Sequence, residues 1–182
     1  MGVKTEATVE DLMRLPDHGK AEIVHGEIVA ISPTGGRPGR AGFKVTASLD
    51  AYTRRTGRGY AIPDNVGFVV DLPHRKTFSP DAAYYVGPMT MSFLQGAPVF
   101  AVEVRSEGDY GPDAERAMAE KRADYFTAGT LVVWDVDLEG ADVIRSYRAD
   151  DPARPTVFRR GEKASAEPAV PGWLMPVDDL WP

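Results

Sequence analysis

Hydrophobic and polar positions follow two different periods along this chain. In AEIVHGEIVAI, residues 21–31, two apolar runs flank a His-Gly pair, the signature of a β-hairpin with a two-residue turn. Pairing Val24 with Glu27 and Glu22 with Val29 sets both glutamates on one side of that hairpin. Strand-like runs recur at VGFVVDL (66–72), PDAAYYV (80–86), VFAVEVR (99–105), TLVVWDVD (130–137) and VIRSYR (143–148). Two stretches run at helical period instead. AGFKVTASLDAYTRRTG (41–57) stops at Gly57, and PDAERAMAEKRADYFTAG (112–129) has Pro112 near its first position and Gly129 at its stop. Thr8 and Asp11 read as a capping box starting a short helix that Pro16 ends. SPTGGRPGR (32–40) and PHRKTFS (73–79) read as connections. GPMTMSFLQGAP (87–98) reads as a loop or short helix, and the residues from FRRGEKA to WLMPVDDLWP as an irregular tail.

Two of these segments carry charge where the pattern calls for apolar residues. In VFAVEVR, Glu103 and Arg105 share one face with Val99 and Ala101, while Phe100, Val102 and Val104 fill the other. Charges on so apolar a strand are costly unless paired or put to use. On the second helix, Ala114, Ala117, Met118, Tyr125 and Ala128 form one apolar stripe with Lys121 at its centre. Arg116, Glu120, Arg122 and Asp124 fall outside the stripe. An inward lysine snorkels, pairs with a carboxylate, or takes part in chemistry.

Composition narrows the possibilities. A chain of 182 residues, 43% hydrophobic and 26% charged, has the make-up of a soluble globular protein and the length of one domain, residues 1–182. It has no cysteine, and His18, His25 and His74 are scattered, which argues against structural zinc, thiol catalysis and disulfides. The N-terminal residues lack a signal-peptide core and no window is apolar enough to span a bilayer, so a cytoplasmic location is expected. A net charge of −6 disfavours nucleic-acid binding by the whole surface. Charge is uneven, however: Arg37, Arg40, Lys44, Arg54, Arg55 and Arg58 are opposed only by Asp50. They read either as a basic patch or as a solvated helix face. The glycine-rich 32–40 segment lacks the Gly-Lys-Ser/Thr ending of a phosphate-binding loop.

Asp81 follows Pro80 at the start of its strand and shares a face with Ala83 and Tyr85. Carboxylates from two neighbouring strand ends, Asp81 and Glu103, suit a hard divalent cation, Mg²⁺ or Mn²⁺. Such an ion polarises a phosphodiester, and a lysine beside it stabilises the extra negative charge of the transition state.

AEIVHGEIVAISP, SPDAAYYV, VFAVEVRSEGDYG and EKRADYFTAGTLVVWDVD, in this order and spacing, resemble the Uma2 family, also called DUF820, within the PD-(D/E)XK nuclease superfamily. The resemblance covers most of the chain from Ala21 to Asp137. It implies a restriction-endonuclease-like α/β fold, a mixed central β-sheet flanked by helices, and Mg²⁺-dependent cleavage of DNA. By the same resemblance, Asp81 matches the PD aspartate and Glu103 the acidic residue of the next strand. The superfamily's usual lysine position holds Arg105, and a lysine from the following helix, here Lys121, takes over. Glu22 matches a family glutamate implied as a further metal or water ligand, while Tyr125 reads as packing. Arg105 stays charged and is a poor base; it holds a phosphate or pairs with Glu103.

The expectation is therefore a metal-dependent endonuclease in which Asp81 and Glu103 bind the metal and Lys121, Glu22 and Arg105 complete the site. Arg37, Arg40, Arg54 and Arg55 are expected to meet the DNA backbone. Cutting both strands calls for two sites, so a homodimer is expected, joined near Trp173 and Trp181. Bland readings stand beside these. Glu103 serves only an ion pair, Asp81 only a turn, and Glu22 with Glu27 only the wet face of a hairpin. Two other functions remain open: a non-cutting module that binds nucleic acid or protein, and hydrolysis of a smaller phosphodiester.

Overall fold

The computed structural model describes residues 6–16 and 19–181, so His18 lies outside the described residues. In chain order come helix α1 (Val9–Met13), strands β1 (Ala21–Val24) and β2 (Glu27–Ala30), and helix α2 (Gly36–Thr56). Strands β3 (Tyr60–Pro63), β4 (Phe68–Val69), β5 (Thr77–Phe78), β6 (Ala82–Tyr85), β7 (Leu94–Gln95) and β8 (Phe100–Val104) follow. Helix α3 (Pro112–Thr127) leads to β9 (Val132–Val136), β10 (Ile144–Arg148), β11 (Asp151–Phe158), β12 (Lys163–Ser165) and β13 (Leu174–Pro176). A short 3₁₀ turn, Val177–Leu180, comes last.

Local chemistry sets several of these boundaries. Thr8 and Asp11 cap α1 reciprocally, as their spacing calls for. His25 and Gly26 both take positive φ, 50° and 71°, which a two-residue hairpin turn requires, and the register pairs Val24 with Glu27 and Glu22 with Val29. Gly57, at φ 65°, ends α2. That helix begins at Gly36, inside the stretch expected to be a loop. Pro38 is tolerated there because the amides of a first turn have no intrahelical partner.

The centre is a six-stranded mixed sheet in the order β11-β10-β9-β8-β6-β3. Its one parallel pair among the described strands, β8 with β9, is bridged by α3 as a crossover, and the other neighbours run antiparallel. One face packs on Ala41, Val45, Leu49 and Tyr52 of α2 and on Val170, Trp173 and Met175 from the C-terminal residues. Phe100, Val102 and Val104 point into that layer. On the other face, Phe68, Phe78 and Leu94 of a small three-stranded sheet (β5-β4-β7) join Tyr125 of α3 over Ala83 and Ala101. VFAVEVR thus splits its side chains between the two layers as its alternation requires.

The tail expected to be irregular from Phe158 onward carries β12, β13 and the 3₁₀ turn. Just before it, two prolines sit in β11, which works because β11 is an edge strand whose outer amides need no partner. Conversely, VGFVVDL yields only the two residues of β4. Trp173 is 2% exposed and stacks on Trp134 at 5.2 Å, and Trp181 is half-buried beneath Arg160. Trp173 is thus core and is not free to join two subunits, whereas Trp181 keeps part of its surface exposed.

Candidate active site

Ala82 pairs with Val102, and the Asp81 amide donates to the Val102 carbonyl at 3.0 Å, so Asp81 sits at the start of β6 beside the end of β8 that carries Glu103, and both acids line one cleft. They are close enough for the charge of Asp81 to act on Glu103. The two acids therefore converge at one end of the sheet. Asp81 is fixed there: its Oδ2 accepts the Val104 amide at 2.8 Å. The Cβ that Gly42 of α2 lacks would lie 3.1 Å from the Asp81 carbonyl oxygen, so a missing side chain lets the helix seat on this turn.

Lys121 reaches the same place from α3. Its Nζ lies 2.9 Å from Glu103 Oε1 and 3.0 Å from Glu22 Oε1. Burial works against the ammonium, but the two carboxylates overcome it and hold the Lys121 pKa above its ordinary value. Lys121 is therefore a charged, oriented donor and a poor proton acceptor. Burial, joined by the charges of Asp81 and Glu22, raises the Glu103 pKa against the pull of Lys121. Both partners of Glu103 sit on Oε1, the second being the Tyr125 hydroxyl at 2.7 Å. That leaves Oε2 free of hydrogen bonds to the described residues. Tyr125 does pack, stacked on Phe78 at 4.0 Å, but it also donates to the acid pair.

Glu22 is not on a wet face. It is 4% exposed, and Thr77 and Ser79 close over the hairpin: the Ile23 amide donates to Thr77 Oγ1, and Glu22 Oε1 accepts the Ser79 amide at 2.9 Å. Arg75 Nη1 lies 2.6 Å from Glu22 Oε2, and Arg75 Nε lies 2.7 Å from Asp124 Oδ2. Burial pushes the Glu22 pKa up, yet Lys121 and Arg75 outweigh it and hold it below the ordinary carboxylate value. Asp124 falls outside the apolar stripe, but it is buried and bound by Arg75 and His74. The upper part of the stripe, Ala114 and Met118, borders an open cleft rather than a packed core.

Lys20 drew no notice in the pattern of the sequence, yet it is the second ammonium of the site. Its Nζ bridges Asp81 Oδ1 at 2.8 Å and Asp64 Oδ1 at 2.7 Å. Burial opposes its charge, and Asp81 with Asp64 raises its pKa all the same. Its only advance signal was adjacency to a hairpin that carries Glu22.

Arg105 is held elsewhere. Nε and Nη2 each lie 2.7 Å from an oxygen of Asp135 in a bidentate pair, and Nη1 and Nη2 also meet Glu115. Its side chain is 4% exposed. It pairs with neither Glu103 nor open solvent, which corrects the expectation that it holds Glu103 or a phosphate. The basic residues of α2 do not form one patch. Arg40 and Arg54 are separated by fourteen residues, about 21 Å of helix. Arg37 and Arg40 lie at the end of α2 near the cleft, with Arg37 paired to Glu139. Arg54 and Arg55 lie at the far end, where Arg54 pairs with Asp50.

All of this borders a cleft of about 700 Å³, walled by Val29, Ile31 and Pro33 on one side and Ala114 and Met118 on the other. Among the described residues, no cluster of three or more Asp, Glu or His is arranged to hold a metal ion. The donor set is thus two carboxylates, Asp81 and Glu103, with ammonium groups beside them. Among the described residues, Glu22, Asp64, Asp81, Glu103 and Asp124 are paired with three fixed cations, Lys20, Lys121 and Arg75, beside His74 on Asp124. The cluster is formally two positive charges short. That deficit, two hard oxygen donors and an open Glu103 Oε2 suit one divalent ion.

The family model Uma2, described as "Putative restriction endonuclease", matches residues 9–178. No curated protein matches the chain. Among solved structures, it is similar to the crystal structure of a "putative nuclease belonging to DUF820" from Anabaena variabilis ATCC 29413. The two superpose with a TM-score of 0.74 over 96% of this chain and 97% of that one, at 16% identity. At that identity the likeness is one of fold.

Proposed function

The chain belongs to the Uma2 family, and from that membership together with its paired strand-end acids we propose that it is a divalent-metal-dependent endonuclease acting on DNA. The observation that carries this reading is Lys121 Nζ, 2.9 Å from Glu103 in the cleft that Glu103 shares with Asp81. Asp81 and Glu103 would hold Mg²⁺ or Mn²⁺, which when bound supplies Lewis-acid polarisation of the scissile phosphate. Lys121 orients the attacking water and stabilises the charge that builds on the phosphate oxygens. The water oxygen bonds to phosphorus, the bond to the leaving oxygen breaks, and that oxygen takes up a proton. Glu22 anchors Lys121, and Arg105 positions α3 against β9 through Glu115 and Asp135. Arg37 and Arg40 contact the DNA backbone beside the cleft, and Arg54 and Arg55 contact it farther along.

The same reading takes residues 1–182 as a single nuclease-like domain, working as a cytoplasmic homodimer so that both strands of a duplex are cut. Among the described residues no helix is long and apolar enough to cross a membrane.

Plasmid nicking by purified protein with Mg²⁺ or Mn²⁺ tests the activity. Relaxed and linear products are expected, with a loss of about a hundredfold or more in Asp81→Asn and Glu103→Gln. Undiminished nicking by either variant overturns the reading. A non-cutting binding module has one observation in its favour: each acid of the pair is already met by an ammonium. DNA binding that persists without any metal binding would select it.

A further inference from the structure

Two ammonium groups hold the acid pair in matching ways. Lys121 joins Glu103 to Glu22, and Lys20 joins Asp81 to Asp64. Resting on the metal-dependent reading above, we propose that Lys20 is a specificity-determining residue. It is a displaceable internal cation that occupies Asp81 in the ion-free protein and yields only to a divalent ion.

The anchors of the two lysines differ, and the difference decides which one moves. Glu22 has a side chain only 6% exposed and is clamped by Arg75 and the Ser79 amide. Lys121 is therefore tied to a fixed, buried partner. Asp64 has a side chain 47% exposed, in the turn just after β3, beside Asn65 at φ 64°. Lys20 can follow that exposed carboxylate away from Asp81 without uncovering a buried charge. Asp81 itself stays in place when Lys20 leaves Oδ1, because its Oδ2 is held by the Val104 amide.

An ion held by Asp81 and Glu103 would compete with Lys20 for Asp81, whose other oxygen already accepts the Val104 amide. A monovalent cation exchanges one unit charge for another and gains little. A divalent ion adds a second unit of attraction to both carboxylates, at the point where the cluster lacks positive charge. Lys20 thereby keeps Asp81 neutralised and preformed, and it raises the concentration of divalent ion needed to fill the site. A plain structural clamp between hairpin and sheet would have no such effect on ion binding.

Calorimetric titration of the full chain with MnCl₂ separates these roles, using wild type, Lys20→Met and Asp81→Asn. Lys20→Met is expected to bind Mn²⁺ at least about fivefold more tightly than wild type, the lower end of ordinary coupling between two sites. Asp81→Asn is expected to lose binding. Equal or weaker binding by Lys20→Met, beside Asp81-dependent binding in wild type, overturns the role of Lys20 and leaves the metal reading standing. Absence of binding in both wild type and Lys20→Met overturns both. A second measurement needs no destabilising variant. In wild type titrated with Mg²⁺, the Lys20 side-chain Cε resonance, assigned by comparison with Lys20→Arg, is expected to shift with the midpoint of ion binding. A resonance that stays still overturns the displacement.

Discussion

Arg75 Nη1 lies 2.6 Å from Glu22 Oε2, and both side chains are almost wholly inaccessible to solvent. The guanidinium is shared: Nε binds Asp124 on α3, so one cation ties the hairpin to the helix that delivers Lys121. A buried pair of this kind is worth little against a well-packed apolar substitute, but removing one partner strands the others.

Arg75→Ala is therefore expected to lose about 3 kcal/mol of stability, the lower end of the cost of breaking a buried pair, because Glu22 keeps only Lys121 and the Ser79 amide and Asp124 keeps only His74. Chemical denaturation of the variant measures this. A loss under about 1 kcal/mol, the range of an exposed ion pair, would contradict the burial described above.

The acid pair should leave a mark on the pH dependence of stability. Glu103 has its pKa raised in the folded state, so the folded chain binds more protons there than the unfolded chain. Its contribution to stability therefore falls as pH rises past the ordinary value of 4.5. Glu22 works in the opposite sense: held below that value, it contributes stability that is lost as pH falls beneath 4.5. Glu103→Gln deletes only the first effect. Lost contacts to Lys121 and Tyr125 add a roughly constant offset, since Lys121 remains charged throughout. The variant should thus gain on wild type between pH 4.5 and neutrality when both are unfolded by urea. A difference independent of pH would count against the raised Glu103 pKa.

Gly42 offers a test of the helix contact behind Asp81. Gly42→Val places a branched side chain where the first carbon already meets the Asp81 carbonyl oxygen at 3.1 Å. Backbone cannot move aside cheaply, so a loss of about 1–3 kcal/mol is expected, together with weaker Mn²⁺ binding as the aspartate turn shifts. Gly36→Ala, with nothing within 4 Å of the added carbon, serves as the control and should melt like wild type. Calorimetry and a thermal melt report both effects, and unchanged ion affinity in a destabilised Gly42→Val would separate helix seating from the site.

How much of this was readable beforehand depended on the range of each interaction. The hairpin register, the α1 cap, the α3 boundaries and the split faces of β8 are local, set by period and turn chemistry, and the sequence pattern carried them. Lys121 was readable because it broke an apolar stripe. Arg75 was not: it sits in a polar connection, and its partners lie 53 residues before it and 49 after it. Asp124 looked outward by helical period but turns inward because that guanidinium waits for it. Lys20 carries no periodic signal, since only the fold brings Asp64 and Asp81 to it. The pattern assigned no element to β11, where two prolines interrupt it and the sheet edge makes them harmless.

The rear of the strand that bears Glu103 has one more implication. Trp173 packs against Phe100 and Trp134 there, and its indole donates to Ser48 of α2 at 3.1 Å. Domains take shape from the N-terminus as the ribosome extends them, and Trp173 emerges only after every acid and ammonium of the cleft. A nascent chain that has already made every acid and ammonium of the cleft still lacks the wall that holds β8 in place. A settled cleft is thus postponed until synthesis has passed residue 173, and a product ended before that point would leave the apolar rear of β8 uncovered.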